Sequence, residues 1–394
     1  MARYEYDGLP RAVPEDVGMS TSRLERIAPV MQRWVDAGKI PGALTMIARE
    51  GRLVHFEKFG VQDVATGKPL EFDTIFRIYS MTKPITSIAV MMLYEEGHFQ
   101  LGTPVSELIP AFKDMQIYTE GGEDIVDAET EMTIKHLLTH TSGLIYGGDG
   151  DHPIHQRYRD ANYYRGDLAN MANELGNIPL LHDPGAAWNY GMSTDVLGYL
   201  VEVVSGMPFE EFLKTRILNP LGMTDTAFSV PDEKADRYMT LYEPSEDGGI
   251  QVIENAPVSS GPRSFFHSGG AGLQSTAADY LRFCQMLLND GELDGVRLLG
   301  RKTVELIRIN HISDDWQPLE RTGCGFGLGF AVVTDVAETH GPGSEGTYSW
   351  GGLASTTFWI DPVEDLIGIL MTQLIGDSPF HSQFRVLTYQ AITD

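Results

Sequence analysis

The clearest hydrophobic pattern in the chain begins just after residue 80. The stretch "FRIYSMTKPITSIAV" (residues 76–90) opens an apolar run with helical spacing, which is carried by Ile85, Ile88, Ala89 and Met92. This i, i+3, i+4, i+7 pattern predicts a helix, and Gly97 stands where a helix end is often followed by glycine. Because proline is tolerated only near a helix start, Pro84 predicts that Ser80 lies within about one turn of the helix N-terminus.

Four further segments have the apolar spacing and the end signals of helices. They are residues 20–38, 193–206, 275–291 and 380–392. Serine or threonine stands at the start of the first three, where a side-chain oxygen can accept a hydrogen bond from a free backbone N–H group. In 193–206 we expect Ser193 or Thr194 to be this cap and Gly206 to follow the last turn.

Strand patterns lie near the two ends of the chain. Residues 42–60 contain two β-type runs around Glu50-Gly51, which predicts a hairpin. Near the other end, "GFGLGFAVV", "ASTTFWID" and "LIGILMTQ" (residues 325–333, 354–361 and 366–373) alternate or run apolar between turns. They predict three more strands.

This distribution of elements indicates the fold class. We expect an α/β (α+β) protein, in which an antiparallel sheet built from both chain ends is flanked by helices and a mostly helical region is inserted between the ends. The predicted domains are residues 1–79 together with 275–394 for the sheet, and residues 80–274 for the helical part. The active site is expected between them.

Charge and composition narrow the classes of partner. The 394 residues include 55 acidic and 29 basic side chains, a formal net charge of −26. Nucleic acid and anionic membrane surfaces are therefore not expected as partners, because their recognition needs clustered Lys and Arg. The two cysteines, Cys284 and Cys324, form neither a disulfide framework nor a zinc spacing. With no secretory signal and no apolar run of membrane-spanning length, we expect a cytoplasmic location.

Candidate chemistry starts with the spacing of Ser80 and Lys83. Three helical residues turn through roughly 300°, so both side chains lie on one face. Free N–H groups and the positive dipole end at a helix start favour a developing anion, which suits a nucleophile. A serine hydroxyl needs a base, and no Ser-His-Asp set or metal-binding motif stands out. The alternative interpretation is an N-cap serine beside a solvated lysine.

The order of three motifs favours the nucleophile. "SMTK" (80–83), "WNYG" (188–191) and "SWGG" (349–352) together resemble the S-x-x-K, Y-x-N and K-T-G motifs of the serine β-lactamase and penicillin-binding-protein superfamily. "LLTHTSGL", "NPLGMTDTAF" and "SGGAGLQSTAADYLRF" resemble its class C β-lactamase-like members, the family VIII carboxylesterases. The resemblance implies a β-lactamase-like fold over nearly the whole chain.

The same resemblance assigns roles to site residues. It implies that Ser80 is the acyl-accepting nucleophile and that Lys83 takes part in activating it. Tyr190 is placed near the Ser80 hydroxyl and the leaving-group oxygen, and the backbone N–H groups of Ser80 and Leu353 form the oxyanion hole. Whether Lys83, Tyr190 or the pair acts as the base stays open, since their ordinary pKa values are similar. No metal or cofactor is expected.

Two positions depart from the lactamase pattern. Met192 stands where Y-x-N has its amide, and Trp350-Gly351-Gly352 replaces K-T-G, so the cation that would hold a lactam carboxylate is missing. Both changes match the esterase branch, and Met192 and the Trp350–Gly352 segment are expected to line the substrate site. We expect the Trp350–Gly352 segment to stand at the start of a strand. The alternative is that Trp350 merely packs and that Arg263 or another cation supplies the charge.

These observations predict a serine hydrolase that cleaves short-chain carboxylic esters through an acyl-serine intermediate. The same chemistry also allows a β-lactamase, a D-amino-acid peptidase or an acyltransferase. The alternative from another functional class is a binding domain that has the same fold but no catalytic activity. The expected partner is a small-molecule ester, and a homo-oligomer is possible.

Overall fold

An eight-stranded antiparallel sheet forms the centre of the protein. The computed structural model describes residues 8–119, 121–122, 124–161, 163–254, 266–376 and 379–394. Its strands in chain order are β1 Gly42–Arg49, β2 Arg52–Asp63, β3 Lys68–Pro69, β4 Phe76–Arg77, β5 Gln116–Tyr118, β6 Ile125–Asp127, β7 Tyr242–Pro244, β8 Ile250–Val252, β9 Gln274–Ser275, β10 Glu292–Leu293, β11 Val296–Arg297, β12 Cys324–Phe326, β13 Ala331–Val333, β14 Tyr348–Gly351, β15 Thr357–Asp361 and β16 Leu366–Met371. The main sheet has the order β12-β13-β14-β15-β16-β1-β2-β3, and the other strands form two-stranded pairs.

The α-helices flank this sheet and fill the middle of the chain. They are α1 Thr21–Leu24, α2 Ile27–Asp36, α3 Thr82–Glu95, α4 Ile134–Leu138, α5 Pro153–Asp160, α6 Leu168–Gly176, α7 Ser193–Ser205, α8 Phe209–Leu213, α9 Ala277–Leu288, α10 Arg301–Ile307 and α11 Phe380–Tyr389. A single π-helical turn, Lys214–Leu218, continues α8. Among the described residues, no helix has the length and apolar composition needed to cross a membrane.

Both faces of the sheet are covered, as the sequence of β1 shows. Every residue of β1 is buried. Because successive side chains of a strand point to opposite faces, Leu44 and Met46 enter the large core around α3 and α9, whereas Ala43 and Ile47 enter a second core with α2 and α11. A strand buried on both sides therefore reads as a continuous apolar run.

The sheet confirms the predicted fold class. Its eight strands all lie within residues 42–69 and 324–371, so both chain ends contribute to one antiparallel sheet. The hairpin is confirmed, with Glu50 and Gly51 both in the left-handed region at its turn. The domain boundaries at residues 79/80 and 274/275 stay a prediction.

Three of the predicted elements are corrected by the structure. The helix over 20–38 is two helices, α1 and α2, because Pro29 cannot donate to the carbonyl of residue 25 and lies in the first turn of a new helix. The single strand over 325–333 is instead the β12–β13 hairpin, which turns where Gly329 has a φ of +95°. The Trp350-Gly351 pair ends strand β14 rather than starting a strand.

The predicted C-terminal ends of α3 and α7 are confirmed, whereas the predicted N-cap of α7 is not. Gly97 and Gly206 follow α3 and α7 in the left-handed conformation, as predicted. The prediction that Ser193 or Thr194 caps α7 was wrong, because Met192 is the N-cap residue and makes no side-chain capping bond. Ser193 instead pairs its hydroxyl with that of Ser142, at 2.8 Å.

Candidate active site

Ser80 lies at the entrance to α3. It is the middle residue of a 3-10 turn, Tyr79–Met81, that runs directly into the helix, which confirms the predicted position. Tyr79 has a φ of +41°, and a bulky residue holds such a backbone only where its surroundings fix it. The interpretation of Ser80 as an N-cap is not supported, since Met81 holds that position and no side-chain capping bond is formed.

Lys83 is a buried amine with three polar partners. Its side chain is fully enclosed, and the residue is 1% exposed. Nζ lies 3.2 Å from Ser80 Oγ, 2.8 Å from the Tyr146 hydroxyl oxygen and 2.8 Å from the Gly270 carbonyl oxygen. A buried charge or amine needs such partners, because burial without them is costly. The arrangement brings Ser80 and Lys83 together, as their spacing predicted.

Tyr146 and Gly270 are site residues that the sequence did not reveal. Burial and the nearby Asp195 charge raise the pKa of Tyr146 well above its usual range, so it is a neutral phenol. Gly270 must be glycine here, since a Cβ would lie 2.7 Å from the Tyr146 hydroxyl oxygen and 2.4 Å from Asp195 Oδ2. No periodic pattern marks these residues, because they reach Lys83 across 63 and 187 positions of the chain.

Asp195 holds the backbone beside Lys83 in place. Its Oδ1 accepts hydrogen bonds from the Ser268 hydroxyl and from the Gly270 N–H, the latter at 3.1 Å. Oδ2 is buried with no hydrogen-bond partner among the described residues. Burial raises the pKa of Asp195, while the Lys83 charge works in the opposite direction. In the sequence, an aspartate in the first turn of the largely apolar α7 is the signal that could have indicated a polar role for Asp195.

Tyr190 lies beside Lys83 but faces it with its ring. Lys83 Nζ is 4.5 Å from the ring centroid, a cation–π distance. The Tyr190 hydroxyl accepts a 3.3 Å hydrogen bond from Trp350 Nε1. Within the described chain, no hydrogen bond joins this hydroxyl to Ser80. The three motifs therefore meet around Lys83, although the expected contact between Tyr190 and Ser80 is not made here.

Aromatic rings enclose Tyr190 on its other sides. Its ring centroid lies 4.9 Å from His140, 5.4 Å from Trp350 and 6.1 Å from the stacked Trp188. Burial, followed by the Lys83 charge, lowers the pKa of His140 well below its usual value. His140 is therefore neutral and adds no charge to the site.

The segment from Trp350 to Leu353 closes the site from the sheet. Gly352 packs directly on the backbone before Ser80, since a Cβ there would lie 2.4 Å from the Ile78 carbonyl oxygen. Trp350 is 3% exposed, whereas Leu353 is 58% exposed. The close approach of Gly352 brings the adjoining Gly351 and Leu353 to the same edge of the site.

Met192 does not face a substrate site in this structure. It is fully buried, and its sulfur lies 3.7 Å from the Tyr164 hydroxyl. Its prediction as a substrate-lining residue is therefore not supported. The reason is its N-cap position in α7, where the side chain packs into the core rather than toward Lys83.

A cation does stand against Trp350. The guanidinium carbon of Arg321 lies 5.5 Å from the centroid of the indole. Arg263, the cation named from the sequence, lies outside the described residues. No group of three or more His, Cys, Asp or Glu side chains suited to a metal ion occurs in the part of the chain that the structure describes.

Comparison with known proteins agrees with this geometry. The family model described as beta-lactamase matches residues 26–387. Protein Rv1367c of Mycobacterium tuberculosis is 37% identical over 354 residues, which cover 87% of this chain and 88% of that protein. Esterase EstB of Burkholderia gladioli is 30% identical over 385 residues, which cover 92% and 93%.

A solved structure extends the likeness to the fold. EstCE1, a hydrolase with promiscuous acyltransferase activity, superimposes with a TM-score of 0.81 at 27% identity, covering 95% of this chain and 99% of its own. A family model over most of the chain, together with relatives at 30% identity or more, shows that this protein belongs to the beta-lactamase family, within the superfamily of serine β-lactamases and penicillin-binding proteins.

Proposed function

We propose that this protein is a carboxylesterase that acts through an acyl-serine intermediate on Ser80. The observation that carries the proposal is the buried amine of Lys83 within 3.2 Å of Ser80 Oγ at a helix entrance. The similarity to esterase EstB supports the choice of an ester as the substrate. Ser80 Oγ attacks the ester carbonyl, the alcohol leaves with a proton, and water then releases the acid and regenerates the serine.

The partners of Lys83 support it as the group that accepts the Ser80 proton. A neutral amine has two N–H donors and one lone pair. The Tyr146 hydroxyl and the Gly270 carbonyl take the two donors at 2.8 Å each, which leaves the lone pair for the hydrogen of Ser80 Oγ. As the family resemblance implies, we assign to Tyr190, whose ring lies over Nζ, the transfer of the proton to the departing alcohol.

The oxyanion would form where the sheet meets the start of α3. We assign its stabilisation to the backbone N–H groups of Ser80 and Leu353, as the family resemblance implies. The tight packing of Gly352 on Ile78 supports this role, because it keeps the two backbone segments together. Trp350 and the exposed Leu353 would then border the bound ester.

Acyl transfer to an organic alcohol is the second candidate. The aromatic rings of Trp188, Tyr190 and Trp350 would favour an apolar acceptor over water at the acyl-enzyme. The activity named for EstCE1 points the same way. A cytoplasmic location and a homo-oligomer stay predictions.

Hydrolysis of 4-nitrophenyl esters of rising chain length, measured beside a chromogenic cephalosporin, tests the proposal. We expect kcat/KM for butyrate to exceed that for the cephalosporin by several orders of magnitude, and Ser80→Ala to lose both activities. Butanol added to the reaction should yield butyl ester if transfer competes with hydrolysis. A folded protein that hydrolyses no ester, or that prefers the cephalosporin, would overturn the esterase proposal.

A further inference from the structure

A small cavity adjoins the proposed catalytic residues. Its volume is about 270 Å³, and Tyr146 and Tyr190 both line it. The same two side chains contact Lys83 Nζ, through the hydroxyl of Tyr146 at 2.8 Å and the ring face of Tyr190 at 4.5 Å. Because Nζ lies 3.2 Å from Ser80 Oγ, the Tyr146 oxygen is at most the sum of the two contacts, 6.0 Å, from Oγ. The wall of the cavity is therefore within reach of an ester held at Ser80.

The rest of the cavity lining mixes apolar and polar groups. It comprises Ile145, Gly147, His155, Leu181 and Asn189. No Lys, Arg, Asp or Glu is among the described lining residues, so the cavity offers no counter-charge to an ionised ligand. Pockets for small molecules are usually built in this way, from apolar walls and a few polar groups that fix the orientation of the ligand. The lining therefore suits an uncharged group that carries a hydrogen-bonding function.

His155 brings unused hydrogen-bonding capacity to this cavity. Its Nδ1 is buried, and neither ring nitrogen forms a hydrogen bond with the described residues. Gly150 holds the ring from one side, since a Cβ there would lie only 2.6 Å from Nε2. A neutral imidazole has one donor and one acceptor, and a hydroxyl group can pair with either of them. A hydroxyl on the ligand would thus give His155 the partner that the described chain does not.

Asn189 adds a second polar group to the same lining. Its Nδ2 donates a 3.3 Å hydrogen bond to the Tyr190 carbonyl oxygen, whereas its Oδ1 accepts none from the described residues. The backbone N–H of Asn189 donates to the His140 carbonyl oxygen at 2.8 Å, which fixes the segment just before Tyr190. The amide oxygen is therefore an acceptor available to a ligand in a fixed segment.

The position of Tyr190 assigns the cavity to the alcohol half of the ester. In the proposed mechanism Tyr190 passes the proton to the departing alcohol, and the same side chain lines the cavity. The volume of about 270 Å³ lies just below the range of about 300–1,000 Å³ that is typical of pockets for drug-sized ligands. This size favours an alcohol of a few carbon atoms over a long chain.

We propose that this cavity binds the alcohol group of the substrate and that His155 selects small alcohols with a second hydroxyl group, as in monoesters of short diols. This inference rests on the proposed function, because it names the substrate class of the same site. The second hydroxyl pairs with the imidazole of His155, and the carbon chain packs against Ile145 and Leu181. His155 is then a specificity-determining residue.

Matched esters test the role of His155. The pairs are 4-hydroxybutyl and pentyl butyrate, and 3-hydroxypropyl and butyl butyrate, followed by release of butyric acid in a pH-stat. Each pair shares its acyl group and differs only by a hydroxyl in place of a methyl group. One neutral hydrogen bond predicts that His155→Phe lowers the hydroxyl-to-methyl ratio of kcat/KM by about 2- to 12-fold for at least one pair.

Two further variants show whether the change in ratio belongs to the hydrogen bond. His155→Gln should keep part of the wild-type ratio, because its amide retains a donor and an acceptor. His98→Phe makes the same exchange as His155→Phe at an exposed position beside Glu96 and should leave the ratio unchanged. Because the ratio is taken within each variant, a general loss of folded protein does not affect it.

Filling the cavity tests which half of the ester enters it. Leu181→Phe should lower kcat/KM for pentyl butyrate relative to methyl butyrate, because the larger side chain takes up part of the 270 Å³. The ratio of methyl hexanoate to methyl butyrate varies only the acyl chain and should not change. The exchange keeps the backbone hydrogen bond from the Leu181 N–H to the Gly143 carbonyl oxygen, at 2.9 Å.

The outcomes separate this inference from the proposed function. If the butyrates are hydrolysed through Ser80 but His155→Phe leaves the hydroxyl-to-methyl ratio of both pairs unchanged, the role of His155 is refuted while the esterase proposal stands. If Leu181→Phe changes the acyl-chain ratio and not the alcohol ratio, the assignment of the cavity to the alcohol is refuted. If folded wild-type protein hydrolyses none of these esters or their 4-nitrophenyl analogues, the esterase proposal itself fails.

Discussion

Replacing Tyr146 by phenylalanine isolates one hydrogen bond to Lys83. The Tyr146 hydroxyl lies 2.8 Å from Lys83 Nζ, and the exchange deletes this oxygen while keeping the ring. Nζ is buried, so water cannot replace the lost acceptor freely. In the proposed mechanism Lys83 becomes charged as it accepts the Ser80 proton. A hydrogen bond to a charged group contributes ~1.5–3 kcal/mol, and the middle of this range corresponds to roughly a 45-fold change in rate.

The effect should fall on kcat rather than on KM. We argue that Tyr146 orients the amine that accepts the Ser80 proton, whereas the ester itself is bound by other residues. The assay is steady-state hydrolysis of 4-nitrophenyl butyrate by Tyr146→Phe, with the unfolding midpoint in urea measured in parallel. We expect kcat to fall by about 45-fold, within the range that one such bond allows.

Tyr158→Phe is the matched control. Tyr158 is also a buried tyrosine, and its hydroxyl accepts a 3.1 Å hydrogen bond from the Ile145 N–H rather than from Lys83. Both exchanges should lower stability by about 1 kcal/mol, the usual contribution of one hydrogen bond. If Tyr146→Phe loses no more kcat than Tyr158→Phe, the orienting role of Tyr146 is refuted.

Three further predictions address coupling, packing and pH. Lys83→Ala and Tyr190→Phe should each cost nearly as much kcat/KM as the double change, because we assign both groups to the same proton transfer; losses that multiply would contradict the coupling. Gly270→Ala should lower kcat strongly, since its methyl group would collide with atoms at 2.4 and 2.7 Å, whereas Gly102→Ala, which meets no atom within 4 Å, should not; equal activities would argue against the packing explanation. Burial, with a smaller effect of Arg11, lowers the pKa of His55 to about 3, so the unfolded chain binds its proton more readily. The contribution of His55 to stability should therefore fall by up to ~1.4 kcal/mol per pH unit below about 6.5, and urea unfolding at pH 7.5 and 5.5 should show a weaker pH dependence for His55→Gln than for the wild type; equal dependences would contradict this assignment.

Features encoded in local sequence were predictable. The hairpin over 42–60 and the helix after Ser80 follow from spacing, glycine position and the limits that proline sets on a helix. The meeting of Ser80 with Lys83 follows from helical geometry alone. The approach of Tyr190 and Trp350, which lie far along the chain, was predicted only through the family resemblance.

Features that depend on distant packing were not predictable. Gly270 reaches Lys83 from a loop 187 positions away, and no periodicity links the two. Arg321, which lies before the edge strand β12, contacts Trp350 of β14, two strands further into the sheet. Met192 was predicted to line the substrate site because it aligns with the asparagine of the Y-x-N motif. The alignment does not reveal that Met192 is the buried N-cap residue of α7.

Covalent labelling tests the central claim, that Ser80 is the nucleophile, most directly. The protein is treated with a fluorophosphonate, its intact mass is measured, and the modified residue is located by peptide mapping. The account predicts one adduct, on Ser80, and predicts that folded Ser80→Ala takes no label and loses ester hydrolysis by roughly 10³-fold or more. An adduct on another serine such as Ser142, or ester hydrolysis that survives in Ser80→Ala, would contradict it.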